Sequence, residues 1–321
     1  MKIGAGDQVF KAGSDGIQLG SGTFTSAPFS VDMNGNIHAQ TLIATGYVNS
    51  GDGSDGDVTI SADTTLTRDM QYNSLTVNAG KVLTTAGFAI LCKGTITIDG
   101  TIDNSGGAGA NGTVSSGGAG GTKASGTLGG GGSGGAGAHT VDGTSSPATG
   151  TAGGASSPGA GSAGGYGGGQ STSYRAAAGT LTAKTNVITS SGALVQTGST
   201  IAVLVGGSGG GGGCSLSTAG NWSSGGGGGA GGGVIDMVCA ALVNNGVISS
   251  NGGHGGDGAY TTSGIAGGGG GGGGGCIRIV TRASSGSGTT TVTGGTHGNG
   301  ANTGENGQDG TGGNIYLFIL A

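Results

Sequence analysis

Apolar and polar positions alternate in short bursts along this chain, and the bursts are separated by stretches almost devoid of side chains. Nine consecutive glycines, residues 267–275, run directly into Cys276-Ile277-Arg278-Ile279-Val280-Thr281-Arg282, a β-branched run of strand character. The junction recurs where residues 225–233 meet Val234-Ile235-Asp236-Met237-Val238-Cys239, and where Gly312-Gly313 meet Asn314-Ile315-Tyr316-Leu317-Phe318-Ile319-Leu320. Between residues 58 and 104 the pattern predicts successive short strands: Val58-Thr59-Ile60, Leu66-Thr67, Leu75-Thr76-Val77, Val82-Leu83-Thr84, Ala89-Ile90-Leu91-Cys92, Thr95-Ile96-Thr97-Ile98 and Thr101-Ile102. Asp, Asn or Gly turns separate them, a spacing that fits a β-solenoid or a tightly wound sandwich.

An internal repeat overlies this pattern. Residues 88–109 form one copy and residues 234–258 a second: an apolar strand ending in Cys, an Asn/Asp-Gly-x-Ile step, then Ser or Asn followed by glycines. A looser third copy starts at Cys276 and runs through Thr291-Val292-Thr293-Gly294-Gly295-Thr296-His297-Gly298-Asn299-Gly300. The final apolar strand is expected to pair into an existing sheet, because an isolated one would aggregate. Residues 1–57 differ, with three phenylalanines and no long glycine run. Ile17-Gln18-Leu19 and Phe29-Ser30-Val31-Asp32-Met33 alternate as half-buried strands do. Asn34-Gly35 supplies the positive φ angles of a tight hairpin, after which residues 37–44 continue as strand.

Glycine makes up 88 of 321 residues, against about 7% in ordinary proteins. Collagen would need glycine at every third position and abundant proline; three prolines and long unbroken glycine runs exclude it. Plain disorder is the rival reading, opposed by the strands that bound the runs. Fixing a residue costs about 1–2 kcal/mol of backbone entropy, and most for glycine. Backbone hydrogen bonds return roughly 0.5–1.5 kcal/mol each. Extended helices with three residues per turn make no internal hydrogen bonds; stripped of Cβ atoms, they can lie close enough to bond laterally. The expectation is a bundle of polyglycine-II-type helices, stable when strands pin its ends. Residues 252–258 space a side chain every three residues, the period of one helix face, and residues 164–169 set Tyr166 alone among glycines. The expected fold class is therefore all-β, with polyglycine-II-like helices and loops and no α-helix.

The net charge is −5, with 8% charged residues, which argues against the basic footprint of nucleic-acid binding. No apolar stretch reaches the roughly 20 residues of a membrane helix. The first seven residues contain no apolar signal core, so synthesis and assembly in a cytoplasm are expected. Cys92, Cys239 and Cys276 fall in or beside apolar strands and read as buried small hydrophobes; Cys214, after a glycine run, is the odd one, and a disulfide stays open. Their spacing matches no zinc pattern.

Ala27-Pro28-Phe29-Ser30-Val31-Asp32-Met33-Asn34-Gly35-Asn36-Ile37-His38-Ala39 resembles a signature of bacteriophage tail proteins and tail fibres. The resemblance covers about 30 residues. It implies a virion component, often trimeric, with this end facing the particle. The glycine tracts between residues 106 and 313 resemble the glycine-rich distal adhesins of T-even-like phages, whose sandwiched polyglycine-II helices present loops to the host receptor. The strands and the fibre-type N-terminus depart from that pattern. Together the resemblances imply a homotrimer bound through residues 1–57 to other tail proteins. They imply location in the virion and a host-surface receptor of protein or glycan, without membrane insertion. The expected division is an attachment segment at 1–57, a short-strand domain at 58–105 and a glycine-rich adhesin domain at 106–321.

Candidate chemistry is sparse. Asp52, Asp55 and Asp57 offer oxygen ligands to a hard cation, but their spacing is not that of an EF-hand, and an acidic turn is the favoured reading. No glycine tract is followed by the Lys-Ser/Thr of a phosphate loop. A glycan-cleaving tailspike would need paired carboxylates; Asp99, Asp103 and Asp236 are the available acids, better read as turn or solvent-facing residues. No catalytic constellation and no cofactor motif emerges, so a non-enzyme is expected. Tyr166, Tyr174, Trp222 and Tyr260 all fall in glycine-rich segments, and an amphipathic ring there is a typical contact residue. Trp222, Tyr174, Arg175, Tyr166 and Tyr260 are therefore the candidate receptor-binding residues, the alternative being that the rings staple glycine helices. A coat or decoration fibre without receptor, and an ice- or surface-binding protein, are the other readings.

Overall fold

The computed structural model describes residues 2–5, 8–14, 16–19, 29–32, 37–39, 50–141, 147–155, 168, 176–177, 206–217 and 221–320. The chain divides into two units, Met1–Tyr47 and Val48–Ala321. The described residues are all-β, with no helix among them.

The first unit is an antiparallel meander of β1 (Lys2–Ala5), β2 (Gln8–Gly13), β3 (Gly16–Leu19), β4 (Phe29–Asp32) and β5 (Ile37–Ala39), paired in chain order. The expected strands at residues 17 and 29 are both present. Val31 pairs with Ile37, so the two strands form the expected hairpin pair, but in a register one residue away from that of a two-residue Asn34-Gly35 turn, which would place Val31 opposite His38; the turn itself and residues 40–44 lie outside the described residues.

In the second unit two parallel sheets face each other across one core. The larger contains β6 (Asp57–Ile60), β9 (Ser74–Val77), β11 (Ile90–Ile98), β16 (Val234–Asn244), β20 (Cys276–Ser285) and β22 (Asn314–Ile319), with β8 (Met70–Tyr72) also on β11. The smaller contains β7 (Thr64–Thr65), β10 (Val82–Thr84), β12 (Thr101–Asp103), β17 (Val247–Ser249) and β21 (Thr289–Thr291). Neighbours along each sheet follow chain order, every pair is parallel, and the chain passes back and forth between the sheets, except that β8 and β9 follow one another in the larger sheet. Identical inward positions thus stack in columns: Leu75 on Ile96 on Leu242, Ile90 on Met237 on Ile279, and Leu83 on Ile102 on Ile248. All nine are buried. The continuous apolar run of β16 is what a strand covered on both faces demands, and its first six residues are all buried.

Three details depart from the sequence pattern. Residues 89–92 and 95–98 form a single strand, β11, whose register shifts between Cys92 and Thr95. Lys93-Gly94 is therefore a bulge rather than a turn. The strand expected at Leu66-Thr67 lies two residues earlier, at β7, while Leu66 is buried and its N–H bonds the Thr84 carbonyl. Residues 58–105 and the later strands share both sheets, through β11 on β16 and β12 on β17, because the repeats bury their apolar faces only against each other. The last strand pairs with β20, as expected.

From these sheets the chain runs out repeatedly as glycine tracts. Residues 105–112 follow β12, 225–233 precede β16, 250–258 follow β17, 267–275 precede β20, 292–300 follow β21 and 304–313 precede β22. The sheet register continues into them. Asp103 and Ser249, partners across the smaller sheet, lie 146 residues apart, and the same offset joins Ser105 to Asn251 and Asn111 to Asp257. An offset of 42 likewise joins Asn251 to Thr293 and Asp257 to Asn299.

Candidate functional site: the far end of the glycine tracts

Tract 225–233 shows how segments without side chains are positioned. Gly225, Gly228 and Gly231 donate to the carbonyls of Ala138, Gly135 and Gly132; Gly226, Gly229 and Gly232 donate to Gly267, Gly270 and Gly273. Gly227 and Ala230 donate to Ala110 and Gly107, and these eight N···O distances are 2.8–3.0 Å. Successive N–H groups therefore point to three different neighbours, with a period of three residues. Three further tracts donate back: Gly118 to Gly225, Gly210 to Gly229 and Gly256 to Gly227. Tract 267–275 is surrounded in the same manner, donating to residues 208–214, 250–256 and 305–311. Both tracts are buried throughout. Close approach is what glycine supplies here: a Cβ on Gly228 would overlap the Gly210 carbonyl, and one on Gly271 would overlap that of Gly295.

One end of this bundle is fixed by the sheets. Asn104 is fully buried at that junction, and its Nδ2 donates to the Val234 carbonyl at 2.7 Å. Lys123 closes a neighbouring tract by donating from Nζ to the Ser105 carbonyl at 2.8 Å; burial pushes its pKa down to about 8, against a counteracting pull from Asp103.

The opposite end carries the loops. There β13 (His139–Val141), β15 (Trp222–Ser224) and β18 (Ala259–Tyr260) make a small antiparallel sheet, beside the pair β14 (Ser215–Leu216) and β19 (Ile265–Ala266). Trp222 donates its N–H to Thr261 Oγ1 at 3.1 Å and accepts the Thr261 N–H at 3.0 Å; Asn221 Nδ2 donates to Ser263 Oγ at 3.0 Å. His139 Nδ1 lies 2.6 Å from Ser224 Oγ, which donates to the Thr113 carbonyl at 2.6 Å. Side chains alternate across a strand, so Trp222 shares a face with its partner Val141, while Tyr260, opposite Ser223, lies on the other face. Trp222 is half-buried, Tyr260 is 40% exposed and Val141 54% exposed. The described residues of these loops, 113–116, 139–141, 147–148, 215–217, 221–224, 259–266 and 301–303, contain no Asp, Glu, Lys or Arg. The described residues there offer aromatic area, hydroxyls and amides.

Of the candidate receptor-binding residues, the structure thus brings Trp222 and Tyr260 to one end of the bundle on adjacent strands. Tyr166, Tyr174 and Arg175 lie outside the described residues. Val141, Asn221 and Thr261 join that end without having been singled out in the sequence. Their signal is a break in glycine content between two long tracts, which locates a loop but does not say which loops meet.

A flank of the bundle carries a second ordered surface. Asn251, His254 and Asp257 follow one another every three residues, beside Thr293, Thr296 and Asn299 on the next tract. Asn251 Oδ1 accepts the Thr293 N–H at 2.8 Å, His254 Nδ1 that of Thr296 at 3.2 Å and Asp257 Oδ1 that of Asn299 at 2.7 Å. These side chains cap the outward amides that an outer tract cannot bond to glycine. Next to them His297 Nδ1 lies 2.6 Å from Asp309 Oδ1; hydrogen bonds from the His297 backbone and side chain hold the Asp309 carboxyl below its ordinary range.

In the acidic loop at residues 52–57 each carboxylate has partners of its own. Asp52 accepts its bond from the Ser54 N–H, Asp55 is engaged by Arg68 and the Gln71 N–H, and Asp57 by Ser74 and Asn73. Each carboxyl is held below its usual range by its own partners, Ser54, Arg68 and Ser74 foremost. The three do not converge, and no metal-binding cluster occurs among the described residues. Asp236, one of the acids weighed for glycan cleavage, is buried in a bidentate pair with Arg278, and Asp99 bonds Asn245 while Asp103 bonds Ser105 and Ser249. All four cysteines are buried free thiols, Cys92 and Cys239 lying side by side, and burial pushes Cys239 up to about 11.

No protein family, curated protein or solved structure matches this chain.

Proposed function

We propose that this protein is a bacteriophage tail fibre or tail-tip adhesin. In this reading residues 48–321 form a β-solenoid that anchors a bundle of polyglycine-II helices, and the far loops contact a host-surface receptor. The single observation behind it is the construction of the bundle: buried glycine tracts, pinned at one end by two sheets, present aromatic-bearing loops at the other. Rigid presentation lowers the entropy lost on binding, and a pinned bundle supplies it with backbone alone. Trp222 and Tyr260 are the proposed contact residues, with Tyr166, Tyr174 and Arg175 as further candidates. Residues 1–57 attach the chain to other tail proteins of the virion, in keeping with the signature at residues 27–39. Receptor binding rather than catalysis is the proposed activity.

The test separates the two ends. Removing residues 1–47, the first unit, should abolish incorporation into particles while the truncated chain still adsorbs to bacteria. Trp222→Ala should leave incorporation intact and weaken adsorption roughly tenfold or more, as for an interface hot spot. Adsorption to no bacterium that supports the virus would overturn the reading.

A further inference from the structure

β22 is the outermost strand of the larger sheet and has one bonded neighbour, β20. Asn314 and Leu320 send their N–H groups to Gly275 and Thr281 on that side. In a parallel pair alternate residues turn their backbone groups the same way, so those of Ile315, Leu317 and Ile319 face the open edge. The same three residues also occupy the core-facing row. They stand in register with Ile277, Ile279 and Thr281, which are 0%, 3% and 0% exposed. Yet Ile315, Leu317 and Ile319 are 43%, 48% and 58% exposed. The smaller sheet ends at β21, so nothing in it covers this last row. Among the described residues one end of the core is therefore uncovered, and the backbone beside it has no strand partner.

The opposite edge is built differently. β6 begins with the charged Asp57, follows a loop carrying Asp52 and the Asp55–Arg68 pair, and ends in the buried Ile60. Charges are how proteins block edge-to-edge pairing. β22 carries none from Asn314 to Ile319. Joining the two different edges would also propagate an open filament, whereas a two-fold interface closes.

We propose that β22 is a self-association surface, on which two copies of this chain pair their β22 strands antiparallel about an axis near Leu317. Ile315 then faces Ile319 of the second copy, Leu317 faces its own counterpart, and each copy closes the open core of the other. The strand is self-complementary, since an uncharged apolar row meets itself. The antiparallel arrangement also directs the two 304–313 tracts, which carry Glu305 and Asp309, away from each other.

Sedimentation equilibrium of the full chain tests this. Self-association through β22 is expected, as a dimer or, where residues 1–57 also assemble, as a multiple of two, with Leu317→Lys weakening the β22 contact by about a hundredfold or more, because each copy would bury an unpaired charge. Ile319→Glu, near the strand end, should act in the same direction, and Leu317→Met should leave the dimer unchanged. Unaltered thermal transitions establish that the charged variants are folded. A monomeric wild-type chain overturns the proposal, as does an oligomer of any size that both charged variants leave intact.

Discussion

The second unit holds itself together in two ways. In the sheets, side chains do the work: Ile96, Leu242 and Ile248 stack in buried columns, and apolar burial returns about 25 cal/mol per Å². In the glycine tracts no comparable side-chain area exists, and peptide groups meet peptide groups in three directions. The contrast teaches that a tract can be rigid without being self-sufficient. Its hydrogen bonds roughly balance the entropy of ordering glycine, so the surplus must come from the columns that pin its ends. The two regions should therefore differ in which substitutions they tolerate.

The largest effect is expected inside the bundle. Gly228→Val places a branched side chain where the Gly210 carbonyl stands and should destabilise the chain by about 4 kcal/mol or more, read as a lowered denaturation midpoint. In the sheets the sensitivity reverses, and loss rather than gain of atoms is damaging. Ile96→Ala, at a fully buried position, should lose about 2–5 kcal/mol through the cavity it leaves. Between these lies the ion pair of the sheet: Asp236→Ala strands the largely buried Arg278 guanidinium, and a loss of about 2–3 kcal/mol should be partly recovered in the double variant with Arg278→Met. Ala230→Gly within the central tract removes a buried methyl group and frees the unfolded backbone, and should cost about 1–2 kcal/mol.

Solution pH sharpens the same comparison at smaller amplitude. The folded pKa of Lys123 is about 8 against 10.5 for an ordinary lysine, so the unfolded chain binds more protons between those values and stability should rise with pH there. Cys239 works in the other direction: its thiol, raised to about 11 from 9.0, is ionised only in the unfolded chain above pH 9. The rise should thus be clearest between about pH 8 and 9 and should vanish in Lys123→Met. At the acid end, Asp55 and Asp57 are held below the ordinary 3.8. Their contribution is present above that value and is lost as pH falls below it, so acid should loosen residues 52–74 before the central tracts 225–233 and 267–275, which are bonded through peptide groups.

Much of this was legible because the repeats are written in the chain. The glycine-to-strand junctions at Val234, Cys276 and Asn314 are real element boundaries, and the likeness of residues 88–109 to 234–258 corresponds to strands in register, with Cys92 beside Cys239. The third copy is aligned differently from its cysteine: Cys276 pairs with Val234 and Thr281 with Cys239. The three-residue spacing of His254 and Asp257 sets both against the same neighbouring tract, at Thr296 and Asn299. Which tracts become neighbours could not be read, since glycine carries no pattern from which to choose a partner. That choice is made by sheet register, through the offsets of 146 and 42 residues. For the same reason the loop end could be named only residue by residue. Trp222 and Tyr260 were visible as aromatics, whereas their neighbour Val141 is brought in by strand pairing alone.

Amide hydrogen exchange on the full chain tests the central claim, that peptide groups bonded between anchored ends make the glycine tracts rigid. Residues 225–233 and 267–275 should exchange as slowly as β16, within about tenfold, because opening them requires opening the sheets that hold them. Rapid, unprotected exchange across both tracts while β16 stays closed would contradict it.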